Sequence, residues 1–347
     1  MSAATSTPFT LPLPDGWATE QVVEDTIVAD GLALSRAGIA AAGPTAEEMI
    51  GSAAECSLDG RGAIERARFE LLERIATIEA INRAGPLPTR TLDGDAVGIV
   101  AREDAFPQSC EPARWRHARS NGVALHTDWT SAAQHALGEL VERDRILRSW
   151  YGEVAPAALQ VDWTKVPLGQ VRSYDWHAIE LPAPRHGVGA ELHVVSVFGF
   201  PRTSGRPLVF GHGARPGVTA AFDVAAREAQ QVLAFLWDET IPTDTPPLDP
   251  TAGYHLDYWQ LPERHELLRR WLAGDHVRYA RTQLRPATLR SSMDPALVTF
   301  ADLTSPWLRS RGFCVAKALS SDVVPLTFGD GPFGGHLPHE LRIHPVA

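Results

Sequence analysis

The chain has 347 residues, 44% of them hydrophobic, and a net charge of −10, a balance that argues against nucleic acid or an anionic membrane as a partner, because both bind clustered positive charge. Its longest apolar run, 194–200, is too short to span a bilayer, and its first residues lack the pattern of a signal peptide. Three widely spaced cysteines, Cys56, Cys110 and Cys314, form no disulfide framework, which predicts a protein of the reducing cytoplasm.

The first half of the chain is dominated by two long helical patterns with apolar residues at helical spacing. Residues 1–20 are predicted to be a flexible N-terminus. In chain order, the predicted elements are a helix opened by the capping pattern Thr45–Glu48 near Ala46, a helix over 62–81, a strand over 96–101, a loop over 103–116 and a helix from Thr130.

The second half alternates strand and helix patterns. The predicted elements are strands at 170–173, 191–200 and 207–210, a helix over 219–237, a proline-rich connection at 240–251, helices at 263–272 and 277–284, three alternating elements at 298–300, 306–311 and 313–318, and a tail over 328–347. No shift of composition marks a boundary. The sequence therefore favours one α/β domain over 21–347, with a mixed β-sheet and packed helices.

A Glu-x-x-Glu-Arg pattern occurs on each of the two long helices. Its charged residues are Glu70, Glu73 and Arg74 in the first copy, and Glu139, Glu142 and Arg143 in the second. One copy usually forms a solvated surface, but the apolar residues between these acids place them near the core, where carboxylates repel one another unless a cation neutralises them. Two such helices facing each other would gather hard oxygen donors for Mg²⁺, with arginines for phosphate.

A third candidate segment contains Glu228 and Gln231 on the helix 219–237. The preceding glycines, Gly211 and Gly213, lack the dinucleotide-binding spacing because Pro216 occupies the third glycine position, so we interpret them as a tight strand-to-helix turn. The chain has neither a Walker-type loop nor a Gly-x-Ser-x-Gly motif, which argues against a P-loop enzyme and a serine hydrolase.

The block Ser120–Tyr151 resembles the YcaO superfamily, in particular the branch that makes azole and azoline rings in ribosomally synthesised peptides. The resemblance is strongest over Ser120–His126, Ala136–Asp144 and Trp150-Tyr151. Further segments agree in order and context: Glu70–Arg74, Gly211–Ala214 with Glu228–Gln231, Asp302–Thr304, Val315–Lys317, Pro325–Gly329 and His344–Ala347.

The resemblance implies a single YcaO-type domain that uses ATP and Mg²⁺. A Cys, Ser or Thr side chain of the substrate attacks the preceding amide carbonyl, whose oxygen takes the γ-phosphoryl group and leaves as phosphate. The implied metal ligands are Glu70, Glu73, Glu139 and Glu142. Arg74, Arg143, Glu228 and Gln231 complete the implied nucleotide site. The terminus, with Pro345 and the α-carboxylate of Ala347, would enter the site and help to move protons.

The resemblance also implies a precursor peptide as substrate, an E1-like or leader-binding partner protein and a possible flavin-dependent dehydrogenase, with a homodimer as a further possibility. No leader-binding domain is visible at the N-terminus, so a partner is expected to deliver the peptide. Two alternatives stay open: the same fold installing a thioamide or an amidine, and a non-catalytic scaffold subunit that keeps the acidic helices for stability.

Overall fold

The computed structural model describes residues 13–44, 48–56, 60–183, 188–274, 298–333 and 337–346. Ala347, the predicted helix at 277–284 and the first dozen residues of the predicted flexible terminus lie outside these ranges. Strand β1 begins at Ala18, so residues 18–20 of that predicted terminus belong to a strand.

The strands are β1 (Ala18–Ala29), β2 (Leu32–Ala42), β3 (Glu48–Glu55), β4 (Leu87–Arg90), β5 (Ala96–Val100), β6 (Trp115–His117), β7 (Val123–His126), β8 (Ala157–Ala158), β9 (Tyr174–Leu181), β10 (His193–Pro201), β11 (Val209–Arg215), β12 (Thr299–Asp302), β13 (Cys314–Leu319) and β14 (Thr327–Gly329). The helices are α1 (Arg61–Asn82), α2 (Arg102–Ala105), α3 (Trp129–Trp150), α4 (Val218–Leu236), α5 (Ala252–Gln260), α6 (His265–Leu272), α7 (Pro306–Ser310) and α8 (His339–Arg342).

The strands form several antiparallel sheets within one α/β fold. Their orders are β1-β2-β3, β11-β10-β9-β8, β5-β4-β12-β13-β7 and the pair β14-β6. The predicted α/β class is therefore confirmed, with the strands divided among four sheets in the described part of the chain. In this arrangement β3, β7 and β11 are edge strands of three different sheets.

Each of the three long helices packs between two of these sheets. On α1, Leu71 and Ile75 join the core under β1–β3, while Leu72 and Ala76 join the core under the five-stranded sheet. Helix α3 likewise contributes Leu140 to the core against β12 and β13, and other side chains to the core against β9–β11. Helix α4 fills the space between β9–β11 and β1–β2. Apolar residues on two faces of each helix explain how three sheets share one core.

The helix from 62–81 and the one from Thr130 are confirmed as α1 and α3. Asp128 caps α3 by accepting a hydrogen bond from the Ser131 amide, 2.8 Å away. The helices predicted at 219–237 and 263–272 and the strands predicted at 96–101 and 191–200 are also present.

Three predicted elements are wrong. The capping pattern at Thr45–Glu48 opens no helix at Glu48, because residues 48–55 pair with β2 and this pairing outweighs the local signal. Residues 167–170 form a 3-10 turn that starts with Pro167, and the strand begins only at Tyr174. The predicted loop 103–116 contains most of α2 and the start of β6, which pairs with the distant β14.

The glycines before α4 also need correction. Gly211 and Gly213 lie within β11, not in a turn. A Cβ atom on Gly211 would lie 2.3 Å from the carbonyl oxygen of Ala225, and one on Gly213 would lie 2.4 Å from that of Ala221. Glycine is therefore required because the backbone of α4 lies directly on β11.

The elements that were not predicted include the β1–β2 hairpin and α5. The hairpin turns at Asp30-Gly31, where both residues have positive φ, 48° and 97°. An Asp-Gly pair is a strong signal for such a turn, so the sequence contained this information. Within the described residues, no helix is long and apolar enough to cross a membrane.

Candidate active site

Three helices and three edge strands alternate around a common centre. Helix α1 contacts β3 and β7, α3 contacts β7 and β11, and α4 contacts β11 and β3. An edge strand leaves a row of backbone N–H and C=O groups without a partner strand. Here those groups face the helices, so polar helix side chains can bind them. Both acidic helices, α1 and α3, pack against β7, and Glu73 of α1 lies near Glu139 of α3.

Glutamates on the helices accept hydrogen bonds from the backbone of the edge strands. The measured bonds are Ser52 N to Glu70 Oε2 at 3.1 Å, Leu125 N to Glu73 Oε2 at 3.0 Å and His212 N to Glu228 Oε2 at 2.5 Å. Glu139 similarly interacts with the amide of Val123 on β7. Each of the three sheets therefore holds at least one carboxylate at its free edge.

Gln231 completes this pattern on α4. Its Nε2 donates to the carbonyl oxygen of Ser52 at 3.0 Å, while the amide of the same residue donates to Glu70. Thus Ser52 links the first acidic helix to the Glu228–Gln231 segment. The two segments are separated by more than 150 residues in sequence, and the free edge of β3 brings them together.

Five glutamates lie close enough for their carboxyl groups to shift the pKa of others in the set. We call Glu70, Glu73, Glu139, Glu142 and Glu228 the glutamate ring. Burial raises the pKa of Glu73 well above its usual range, and the nearby Glu139 and Glu70 carboxylates raise it further. Burial also raises the pKa of Glu142, to about 8, with Arg143 opposing this rise and Glu228 and Glu139 adding to it. Ionisation of these carboxyl groups is therefore unfavourable while no cation is bound in the ring.

Two arginines predicted from the sequence lie beside the ring. Arg74 Nη2 is 2.5 Å from Glu70 Oε1, and Arg143 Nη1 is 3.2 Å from Glu142 Oε1. Arg143 Nε is buried and has no hydrogen-bond partner among the described residues. A buried guanidinium donor without a partner is costly, and an anionic oxygen would satisfy it.

The residues of the ring suit a Mg²⁺–phosphate group in their chemistry. Carboxylate oxygens are the hard donors that Mg²⁺ takes, and the unpaired donor of Arg143 suits a phosphate oxygen. In the described ranges, no three His, Cys, Asp or Glu side chains form a ready-made metal site. The fit therefore rests on donor type, burial and charge, with four of the five carboxyl groups oriented by edge-strand amides and Glu142 held beside Arg143.

The described part of the C-terminal tail borders the same region. The tail is anchored by Trp150 Nε1, which donates to the carbonyl oxygen of Leu341 at 2.8 Å, and by His255 Nδ1, which donates to that of His344 at 2.9 Å. Burial and the Arg143 guanidinium lower the pKa of His212 to about 3, and the backbone of Pro345 is close enough to oppose this shift. Pro345 thus lies beside the strand residue that holds Glu228. Ala347 is outside the described residues.

The sequence interpretation overlooked two cations near the ring. Arg215, at the end of β11, acts on Glu142, and Lys317, on β13, acts on Glu139. Burial lowers the pKa of Lys317 to about 8, against the opposing effect of Glu139. A signal for Lys317 was present, because the chain has only one other lysine, Lys165. The edge-strand amides carry no such signal, since any residue supplies them.

Comparisons with known proteins agree with this architecture. The YcaO structure from Methanopyrus kandleri, bound with AMPPCP and Mg²⁺, has 17% identity and a TM-score of 0.59, over 88% of this chain and 86% of that one. A chain of the E. coli microcin synthetase McbBCD complex has 14% identity and a TM-score of 0.53, over 87% and 88%. At such identities these likenesses show a shared fold. No curated protein matches the chain.

A family model assigns the chain more specifically. The model described as YcaO cyclodehydratase, ATP- and Mg²⁺-binding, matches residues 102–323. This range includes α3, β11 and α4 and covers more than half of the sequence. The expectation of ATP and Mg²⁺ as cofactors is confirmed by that description, and the chain belongs to the YcaO family.

Proposed function

We propose that this protein is an ATP-dependent cyclodehydratase subunit that forms thiazoline or oxazoline rings in a ribosomally synthesised precursor peptide. The observation that carries the proposal is the glutamate ring, in which five buried or half-buried carboxyl groups from three helices come together and four of them are oriented by the free edges of three sheets. Ionisation of these groups in an empty site is unfavourable because like charges repel in a low dielectric. A bound cation removes this cost.

The proposed division of work follows from the contacts. Glu70, Glu73, Glu139 and Glu142 would hold Mg²⁺, and Arg74 and Arg143 would neutralise phosphate charge and orient the glutamates beside them. Glu228 and Gln231 would complete the nucleotide site through His212 and Ser52. When bound, Mg-ATP supplies the phosphoryl group that turns an amide oxygen into a leaving group. The chain itself contributes positioning and charge neutralisation, on which phosphoryl transfer depends.

The tail has a proposed role in proton transfer. Pro345 lies near His212, and the last described residues are held by hydrogen bonds from buried side chains. In this proposal the C-terminal carboxylate of Ala347 would accept a proton during ring closure.

Partner proteins belong to the same proposal. One structural neighbour is a chain of the microcin synthetase McbBCD complex, and another structure of that complex has pro-MccB17 bound. By analogy with that assembly, this chain would act with an E1-like or leader-binding protein that delivers the peptide. A flavin-dependent dehydrogenase would then oxidise azolines to azoles, and a homodimer is compatible with the proposal.

The first test is binding of Mg-AMPPCP to the purified chain by calorimetry. We expect saturable binding that is lost in Glu139→Gln/Glu142→Gln. Glu65→Gln on α1 is the matched control because Glu65 is exposed. Absence of binding to the wild-type chain would favour the non-catalytic scaffold.

The second test distinguishes the reactions. With its partner, ATP and precursor peptide, the protein should remove one water from the peptide for each ring. Replacement of oxygen by sulfur would increase the peptide mass and indicate thioamide formation. A macrocyclic amidine would also remove water but would link two distant residues, which fragmentation of the product reveals.

A further inference from the structure

A cavity lies next to the glutamate ring. It has a volume of about 280 Å³ and is lined by residues from four segments of the chain, among them Gln108, Asn121, Leu140, Lys317 and Leu326. Leu140 follows Glu139 of the ring directly in sequence. The backbone from Asn121 to Val123 runs from this cavity to the amide that interacts with Glu139. The cavity therefore borders the glutamate ring.

Lys317 lines the cavity where it borders the glutamate ring. It is 5% exposed, and its Nζ donates to the carbonyl oxygens of Asn121 at 2.6 Å and Arg119 at 3.2 Å. An ammonium group has three donors, so these two bonds leave one without a hydrogen bond, and the nearest ring contact of Nζ is with Phe106 at 5.1 Å from the ring centroid. Among the described residues, no carboxylate lies within ion-pair distance of Nζ, although the Glu139 carboxylate is close enough to raise the pKa of Lys317. Lys317 therefore has a donor and a positive charge available for a ligand.

Asn121 supplies the complementary group. Its side-chain Oδ1 is buried and has no hydrogen-bond partner in the described part of the chain. A buried acceptor without a partner costs free energy that a ligand N–H would recover. The same cavity therefore contains one free donor and one free acceptor, with apolar walls from Leu140 and Leu326. A secondary amide, with one C=O and one N–H, matches this pair of groups.

We propose that this cavity is the peptide subsite of the enzyme, in which Lys317 donates to the carbonyl oxygen of the substrate amide and Asn121 Oδ1 accepts from an amide N–H. The inference rests on the proposed function and adds the position of the substrate relative to the nucleotide. The positive charge of Lys317 would stabilise negative charge on the carbonyl oxygen, as a preorganised donor does in an oxyanion site. The nucleotide would be held in the adjacent ring, next to the substrate amide.

The lysine content makes this proposal directly measurable. Lys165 and Lys317 are the only lysines in the chain. Full-length protein labelled with [¹³C]lysine therefore gives two lysine signals in an NMR spectrum, and Lys165→Met assigns them. Lys165 is a matched control because its side chain is 81% exposed. The probe is a capped dipeptide, acetyl-Gly-Cys-N-methylamide, added to protein saturated with Mg-AMPPCP.

We expect the probe to shift the Lys317 signal in a saturable way and to leave the Lys165 signal unchanged. Lys165→Met should bind the probe like the wild type. Lys317→Met and Asn121→Leu should each weaken binding about fivefold or more, since each removes one hydrogen bond to the ligand. If a variant fails to fold, the two lysine signals of the wild-type protein still show whether the probe binds beside Lys317.

Two outcomes separate this proposal from the one on which it rests. If Mg-AMPPCP binds and the probe shifts neither lysine signal, or shifts only that of Lys165, the peptide subsite is wrong and the nucleotide site stands. Equal probe affinity in Lys317→Met and the wild type also overturns the subsite. If Mg-AMPPCP itself does not bind, the proposed function fails.

Discussion

The amide nitrogen of Leu125 lies 3.0 Å from Oε2 of Glu73, so the free edge of one sheet holds a carboxylate from a helix 52 residues earlier in the chain. The same relationship joins Ser52 to Glu70 and His212 to Glu228 on two other sheets. Binding to backbone amides orients each of these carboxylates, and Arg74 also donates to the other oxygen of Glu70. The arrangement leaves the second oxygens of Glu73 and Glu228 available for a cation.

We predict that Glu142 contributes stability that the ligand-free protein loses as the pH rises from about 5 to 8. Glu142 has a pKa of about 8 in the fold, whereas a glutamate in an unfolded chain has a pKa of about 4.3. Between these values the folded state binds more protons at this residue than the unfolded state, so its contribution to the free energy of unfolding falls with increasing pH. The buried histidines His212 and His255 contribute with the opposite sign below about pH 6.5, because burial lowers their pKa values. Urea unfolding at several pH values measures this slope.

Glu142→Gln should remove the falling contribution and make the slope less negative, because the amide does not titrate. It should also raise the stability of the ligand-free protein at pH 8, by up to a few kcal/mol, since each unit of pKa shift corresponds to about 1.4 kcal/mol. Exposed Glu65→Gln is the control and should leave the slope unchanged. A Glu142→Gln variant with the wild-type slope would contradict this account of the ring.

Binding of Mg-AMPPCP at pH 7 should release protons. With a pKa of about 8, Glu142 is mostly protonated at this pH in the ligand-free protein. A metal ligand must be deprotonated, so binding of the cation displaces up to about one proton from this residue. Calorimetry in phosphate and in Tris, which differ in ionisation enthalpy, should give different binding enthalpies. Equal enthalpies in both buffers would argue against Glu142 as a ligand.

Gly211→Ala should destabilise the fold by about 1–3 kcal/mol and weaken nucleotide binding. The new Cβ would lie 2.3 Å from the carbonyl oxygen of Ala225, so α4 must move away from β11 and carry Glu228 with it. Gly217→Ala is the matched control because nothing lies within 4 Å of its Cβ position. Urea unfolding and Mg-AMPPCP calorimetry test both effects. Similar losses in the two variants would show that close packing is not the cause.

His255→Ala should detach the C-terminal tail while the glutamate ring stays assembled. In the wild type, Nδ1 of His255 donates to the carbonyl oxygen of His344, and Nε2 accepts from the amide of Gly329 at 2.8 Å. Loss of the His255 imidazole leaves the carbonyl of His344 and the amide of Gly329 buried without this partner, at a cost of about 1–3 kcal/mol each. Burial lowers the pKa of His255 to about 4, which keeps it neutral and able to make both bonds at pH 7.

Hydrogen exchange of residues 337–346 is the measurement for this variant. We expect faster exchange there, lower turnover and an affinity for Mg-AMPPCP within about twofold of the wild type, because His255 contacts the tail and β14 and none of the ring glutamates. Unchanged exchange in the tail would show that other anchors, such as Trp150, are sufficient.

The two long acidic helices were predictable because periodicity and motif are local properties. The spacing of apolar residues located α1 and α3. The Glu-x-x-Glu-Arg pattern identified six charged groups that the structure places near one another: Glu70, Glu73, Arg74, Glu139, Glu142 and Arg143. The capping pattern at Thr45–Glu48 shows the limit of this approach. A local preference is overridden when a neighbouring strand pairs with the segment.

The sequence by itself determined the residue types of the site, the helices that carry them and, through family resemblance, the class of cofactor. Only the tertiary structure decided that β3, β7 and β11 are the edge strands beside those helices and that Ser52 joins α1 to α4. It also decided that the buried Lys317 lies between the glutamate ring and the neighbouring cavity. The physical reason is that backbone amides are the same in every residue. Which of them stay unpaired depends on how the sheets assemble, and no local pattern encodes that assembly.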